Sequence, residues 1–107
     1  MNYWGRYIVH SDTVKTFLLP ALSSLDAEIS RVKLYIFGSI LQPDSIVNDI
    51  DILVVYEFSS ELDRIRYALD IVSHRFPMHI TYMSTAEETQ FDFVRQQHAK
   101  RVCEMSA

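Results

Sequence analysis

Residues 49–56, Asp-Ile-Asp-Ile-Leu-Val-Val-Tyr, constrain the fold more than any other stretch of the chain. The run is rich in β-branched side chains and reads as a strand. Period-two geometry puts Asp49, Asp51, Leu53 and Val55 on one face, and Ile50, Ile52, Val54 and Tyr56 on the other. After its two acids the strand is apolar on both sides. It therefore belongs inside a sheet with something packed on each face, wet only where the chain enters it. Leu34-Tyr35-Ile36-Phe37 is a second wholly apolar run, ending at Gly38, and reads as another strand buried on both faces.

The remaining segments supply the layers. From Ser11 or Asp12, either of which can cap a helix, Val14, Phe17, Leu18, Leu22, Leu25, Ile29 and Val32 recur at three- and four-residue steps. Pro20 lies within that stretch and predicts a kink or two abutting helices. Ser39 to Asn48 reads as a polar loop with one helical turn, punctuated by Pro43-Asp44-Ser45. Ser60, with Asp63 three residues on, resembles a capping box, and Leu62, Ile65, Leu69, Val72 and Phe76 form the buried stripe of the helix it opens. Pro77 stops that helix, Met78 to Met83 reads as a third strand, and Ser84-Thr85-Ala86-Glu87 opens a last helix to about Glu104. The expected fold is α+β, a small mixed sheet flanked by helices in the order α-β-β-α-β-α. Residues 1–107 read as one domain whose first ten residues are irregular, with Tyr3, Trp4 and Tyr7 packing on the body or meeting a partner.

A chain of 107 residues buries a small core, so a homo-oligomer or partner protein is a realistic cover for leftover apolar surface. The formal net charge of −4 argues against direct nucleic-acid binding, which needs a basic face. It leaves room for a nucleotide whose charge a divalent cation offsets. Cys103 is the sole cysteine, which fits a reducing, cytoplasmic setting. The first ten residues carry no apolar run like a signal peptide, and no stretch of eighteen apolar residues occurs to span a membrane.

The chemistry lies where the two strands begin and end. Carboxylates at i and i+2 on one strand have Cα atoms roughly 6.5–7 Å apart on the same side. Asp49 and Asp51 therefore suit a hard cation such as Mg²⁺, which takes carboxylate oxygens and shares its other positions with phosphates. The plainer reading of such a pair is a strand with one wet face, but Leu53 and Val55 confine the wet part to the strand's mouth. A glycine at a strand end, as at Gly38, lets a ligand approach the backbone closely, and Ser39 offers a hydroxyl and an N–H to phosphate oxygens. Alone, a Gly-Ser pair is simply a common turn.

Taken together, Leu34-Tyr35-Ile36-Phe37-Gly38-Ser39, nine residues, then Asp49-Ile50-Asp51-Ile52-Leu53-Val54 resembles the signature of the DNA polymerase beta-like nucleotidyltransferases. Size and element order resemble the minimal nucleotidyltransferase branch, small prokaryotic proteins that often act as antitoxins modifying a HEPN-type toxin ribonuclease. The resemblance implies a nucleotidyltransferase-like fold in which Asp49 and Asp51 hold Mg²⁺ and Gly38 and Ser39 hold the phosphates of a nucleoside triphosphate such as ATP. It implies transfer of a nucleoside monophosphate to a hydroxyl, with the partner toxin as a possible acceptor.

Three departures accompany it. The third strand, Met78-His79-Ile80-Thr81-Tyr82-Met83, has no acid where the family places one; the position falls at His79 or Thr81, and His79 is the candidate base. No basic residue lies between Gly38 and Asp49. Arg95, His98, Lys100 and Arg101 offer that charge instead, although they read more readily as a solvated helix face whose cations suit a helix C-terminus. Finally, 107 residues are read as leaving no room for a further domain, so the acceptor is expected to come from a partner protein, a second subunit or a small molecule. Glu87 and Glu88 stand as substitutes for the missing acid, besides their capping role. A catalytically degenerate module that binds nucleotide or metal and regulates a partner, and a structural protein with a fortuitous motif, are the other readings.

Overall fold

The computed structural model describes residues 11–29, 31–42 and 49–105. The expectations for residues 1–10 and for Pro43-Asp44-Ser45 lie outside them. Helix α1 (Ser11–Glu28) leads into strand β1 (Val32–Phe37), a 3-10 turn over Gly38–Leu41, and strand β2 (Ile50–Tyr56). A second 3-10 turn (Ser59–Glu61) precedes helix α2 (Leu62–Ser73), strand β3 (Met78–Ser84), helices α3 (Thr85–Phe91) and α4 (Phe93–Gln96), strand β4 (Lys100–Arg101) and helix α5 (Val102–Met105). The fold is α+β, with a four-stranded mixed sheet in the order β3-β2-β1-β4. β1 runs antiparallel to both neighbours, while β2 and β3 are parallel and joined through α2.

The main core lies between one face of this sheet and the layer of α1 and α2. Val32, Leu34, Ile36, Ile50, Ile52 and Val54 meet Leu18, Leu22, Ile29, Ile65 and Leu69 there in one cluster. Burying side chains of this size fully is worth about 1.5–3 kcal/mol each, which fixes the helix layer to the sheet. On the other face Leu53 and Val55 are also buried, but outside that cluster. α3 packs against β2 and β3 on the sheet, and Phe93 of α4 meets Phe37 edge-on at 5.2 Å. Because these helices are short, Tyr35 and Phe37 are only half-buried, so β1 is less enclosed than its composition predicts.

Several local expectations are corrected. α1 is a single helix through Pro20. Proline deletes one hydrogen bond there, but Leu18, Leu19 and Leu22, all buried, anchor both sides of it. Phe17, expected on the buried stripe, is 64% exposed, and Val32 belongs to β1. Ser60 caps nothing: α2 begins after a 3-10 turn, with no side-chain cap. An Asp at the third position is one methylene shorter than the Glu or Gln a capping box uses to reach back. The Ser84 box forms as expected, with Glu87 N–H donating to Ser84 Oγ and Ser84 N–H to Glu87 Oε1. The single last helix does not form. It breaks at Asp92 and again near His98, both at left-handed φ of +53°, and the chain then pairs as β4.

Beside its backbone pairing, β4 is held by a partly buried ion pair. Asp26 of α1 accepts from Arg101 Nε at 3.2 Å and from a terminal guanidinium nitrogen at 3.0 Å. The same carboxylate accepts the N–H of Leu34 at 3.3 Å, a donor on the β1 edge. The Asp26 hydrogen bond also keeps the Arg101 guanidinium protonated beyond its ordinary range. Removing Asp26 strands a cation and an N–H together, and breaking such a pair costs about 3 kcal/mol or more. Asp26→Ala is expected to lower the urea unfolding free energy by that amount. A change below about 1 kcal/mol would show that β4 is held by backbone pairing and Val102 packing alone.

Candidate functional site

One end of the sheet brings Gly38, Asp51 and His79 together, three of the residues that the sequence singles out. In the antiparallel register Phe37 lies opposite Asp51, and in the parallel register Asp51 lies opposite His79. Phe37, Asp51 and His79 thus form one row across three strands, with their side chains on the α3–α4 face. Gly38 and Ser39 continue from Phe37 into the 3-10 turn, which the Gln42 N–H closes on the Ser39 carbonyl at 3.0 Å. Asp49 sits at a bend one residue before β2, so the strand begins at Ile50, not at the first acid. Asp49 is exposed; Asp51 is half-buried with its side chain 31% accessible.

Gly38 and Asp51 are in direct apposition. Gly38 has φ +80°, a conformation L side chains rarely adopt, and a Cβ placed on it would lie 2.5 Å from Asp51 Oδ2. The other carboxylate oxygen, Oδ1, is 3.5 Å from His79 Nδ1, an ion-pair distance longer than a good hydrogen bond. His79 is 73% accessible, on the rim rather than in the core. Thr81, the other candidate for the third position, lies opposite Leu53, one step deeper into the sheet.

Sequence reasoning did not separate the cations of the last segment, and the structure does. Arg101 is committed to Asp26, and Arg95 pairs with Asp92 on the surface. His98 and Lys100 line an open cleft of about 410 Å³ with Gly38, Ser39, Leu41, Gln42 and Gln97. Lys100 reaches it because β4 places it opposite Ile36, next to the end of β1. The sequence signal was four basic or imidazole side chains after residue 94; which one turns to the cleft depends on β4. Glu87 and Glu88, the substitutes weighed for a third acid, each accept a backbone N–H, from Ser84 and Val94 respectively. Tyr35, behind Asp51 on the same face, has its phenol pushed up by burial, partly offset by Arg101. A second hollow, lined by Arg31, Lys33, Val55, Glu57 and Thr85, lies at the opposite end of the sheet, where Lys33 faces Val55.

Two carboxylates are a donor set magnesium accepts, since it commonly takes one or two protein oxygens beside its substrate's; neither Asp49 nor Asp51 is among the residues lining the cleft beside Gly38 and Ser39. Among the described residues no group of three metal-ligating side chains occurs. Among them, too, no helix is long and apolar enough to cross a membrane. No protein-family model matches the chain, and no curated protein matches it either.

The Gly38–Asp51 contact has a direct consequence. Gly38→Ala is expected to destabilise by about 1–3 kcal/mol through its positive φ and the collision with Oδ2. Asp51→Ala removes the atom struck, so the double variant should be less unstable than the two single losses summed. Additive losses in thermal or urea unfolding would mean that the two residues do not touch.

Proposed function

We propose that this protein is a metal-dependent nucleotidyltransferase of the polymerase beta-like kind, transferring a nucleoside monophosphate from a nucleoside triphosphate to a hydroxyl. The observation that carries the reading is the apposition of Gly38 and the Asp51 carboxylate, two motifs thirteen positions apart in sequence. The cleft beside Ser39 and the row Phe37–Asp51–His79 support it further.

In this reading Asp49 and Asp51 hold Mg²⁺, which when bound neutralises phosphate charge. The Gly38–Ser39 turn orients the β- and γ-phosphates. With His79 Nδ1 turned to Asp51, its Nε2 is left to accept the proton of the attacking hydroxyl. That oxygen bonds to the α-phosphorus, the bond from this phosphorus to the bridging oxygen breaks, and pyrophosphate leaves. Holding the reactants in line is the protein's main contribution. The acceptor is a small molecule or a partner protein, a HEPN-type toxin in the antitoxin setting that the resemblance suggests.

A second reading rests on His79 standing where the family carries an acid, and on two acids rather than three among the described residues. It makes the protein a nucleotide- or metal-binding module that regulates a partner without turnover.

With α-labelled ATP, Mg²⁺ and cell lysate, label is expected on an acceptor, and EDTA or the Asp49→Asn, Asp51→Asn double variant should abolish it. His79→Ala should slow transfer by about tenfold or more while leaving ATP binding intact. Label transfer that persists in the double variant rules out this site. If no label moves but ATP with Mg²⁺ still raises the melting temperature of the wild type, the regulatory module is the correct reading.

A further inference from the structure

Phosphates need positive charge, and the turn that would hold them brings none. Between Gly38 and Asp49 there is no lysine or arginine, while Asp49 and Asp51 place two negative charges at the same sheet end. The described cations of the last segment divide cleanly. Arg95 is paired with Asp92 and Arg101 with Asp26, whereas Lys100 makes no ion pair among the described residues and lines the Gly38–Ser39 cleft. Its place there is built rather than incidental. The bidentate grip of Asp26 on Arg101 fixes the two-residue strand on the edge of β1, with Lys100 opposite Ile36 and two positions from Gly38. The left-handed turn at His98 (φ +53°) brings the chain into that strand.

We propose that Lys100 binds the terminal phosphates of a triphosphate seated in the Gly38–Ser39 cleft, supplying from the end of the chain the charge that the turn lacks. The inference rests on the nucleotidyltransferase reading, which supplies the ligand, a nucleoside triphosphate. A lysine ammonium suits this task as a mobile point charge on a flexible stem, able to follow the phosphates at an open cleft. The interaction is exposed and should weaken with added salt.

The test is titration calorimetry of the full chain with ATP plus Mg²⁺, AMP and sodium tripolyphosphate. Lys100→Met keeps most of the apolar stem and should leave the unfolding midpoint unchanged, so lost binding is not lost folding. It is expected to weaken ATP and tripolyphosphate by a few-fold at low salt, with AMP unaffected and Lys100→Arg largely restoring both. If ATP binding depends on Asp51 but is equal in wild type and Lys100→Met, Lys100 is not a ligand and the nucleotide reading stands. If tripolyphosphate binding depends on Lys100 while Asp51→Asn changes nothing, the phosphate site stands and the metal assignment falls. A wild type that binds neither ATP nor tripolyphosphate overturns both.

Discussion

The register of β1 on β2 is the constraint on which the rest of the structure depends. With Phe37 opposite Asp51, the chain leaves β1 at Gly38 beside the one carboxylate that the sheet half-buries. A slip of one residue would turn Ile50, Ile52 and Val54 away from α1 and α2 and drive Asp51 into the core. Such a slip exchanges several fully buried aliphatic contacts for a buried charge, a difference of many kcal/mol. The register is therefore set by the core, and the site inherits its geometry from that choice. The parallel pairing of β3 extends the same row to His79.

A second constraint acts at the other edge. The last segment has no long helix to pack, yet Lys100 and Arg101 are held as a strand because Asp26 takes the guanidinium with two hydrogen bonds. Asp26 is 5% exposed and takes Arg101 together with the Leu34 N–H, so the ion pair helps to specify where Lys100 and Arg101 lie. The cleft beside Gly38 and Ser39 is bounded by that placement.

How much of this was legible in the sequence follows from how local each signal is. β2 was readable because seven successive residues alternate or stay apolar, and the Ser84–Glu87 box because donor and acceptor lie three residues apart. Gly38, Asp51 and His79 were readable as candidates, but their meeting depends on strand registers that no single segment encodes. The Asp26–Arg101 pair spans 75 positions, and nothing near either residue announces the other. The same holds for Lys100: its sequence neighbourhood predicts a helix, and two left-handed residues, Asp92 and His98, break that pattern before it reaches the end. Pro20 errs the opposite way, since a local breaker is overruled by the buried leucines around it.

The central claim is that the end of the sheet bearing Gly38, Asp49 and Asp51 is a magnesium–nucleotide site. Amide chemical-shift mapping of the ¹⁵N-labelled chain during titration with ATP and Mg²⁺ tests it most directly. The account predicts perturbations concentrated at Gly38, Ser39, Asp51, His79 and Lys100, with Lys33, Glu57 and Thr85 at the far end unmoved. Shifts gathered around Arg31, Lys33 and Thr85, or none at all at saturating ATP and Mg²⁺, would contradict it.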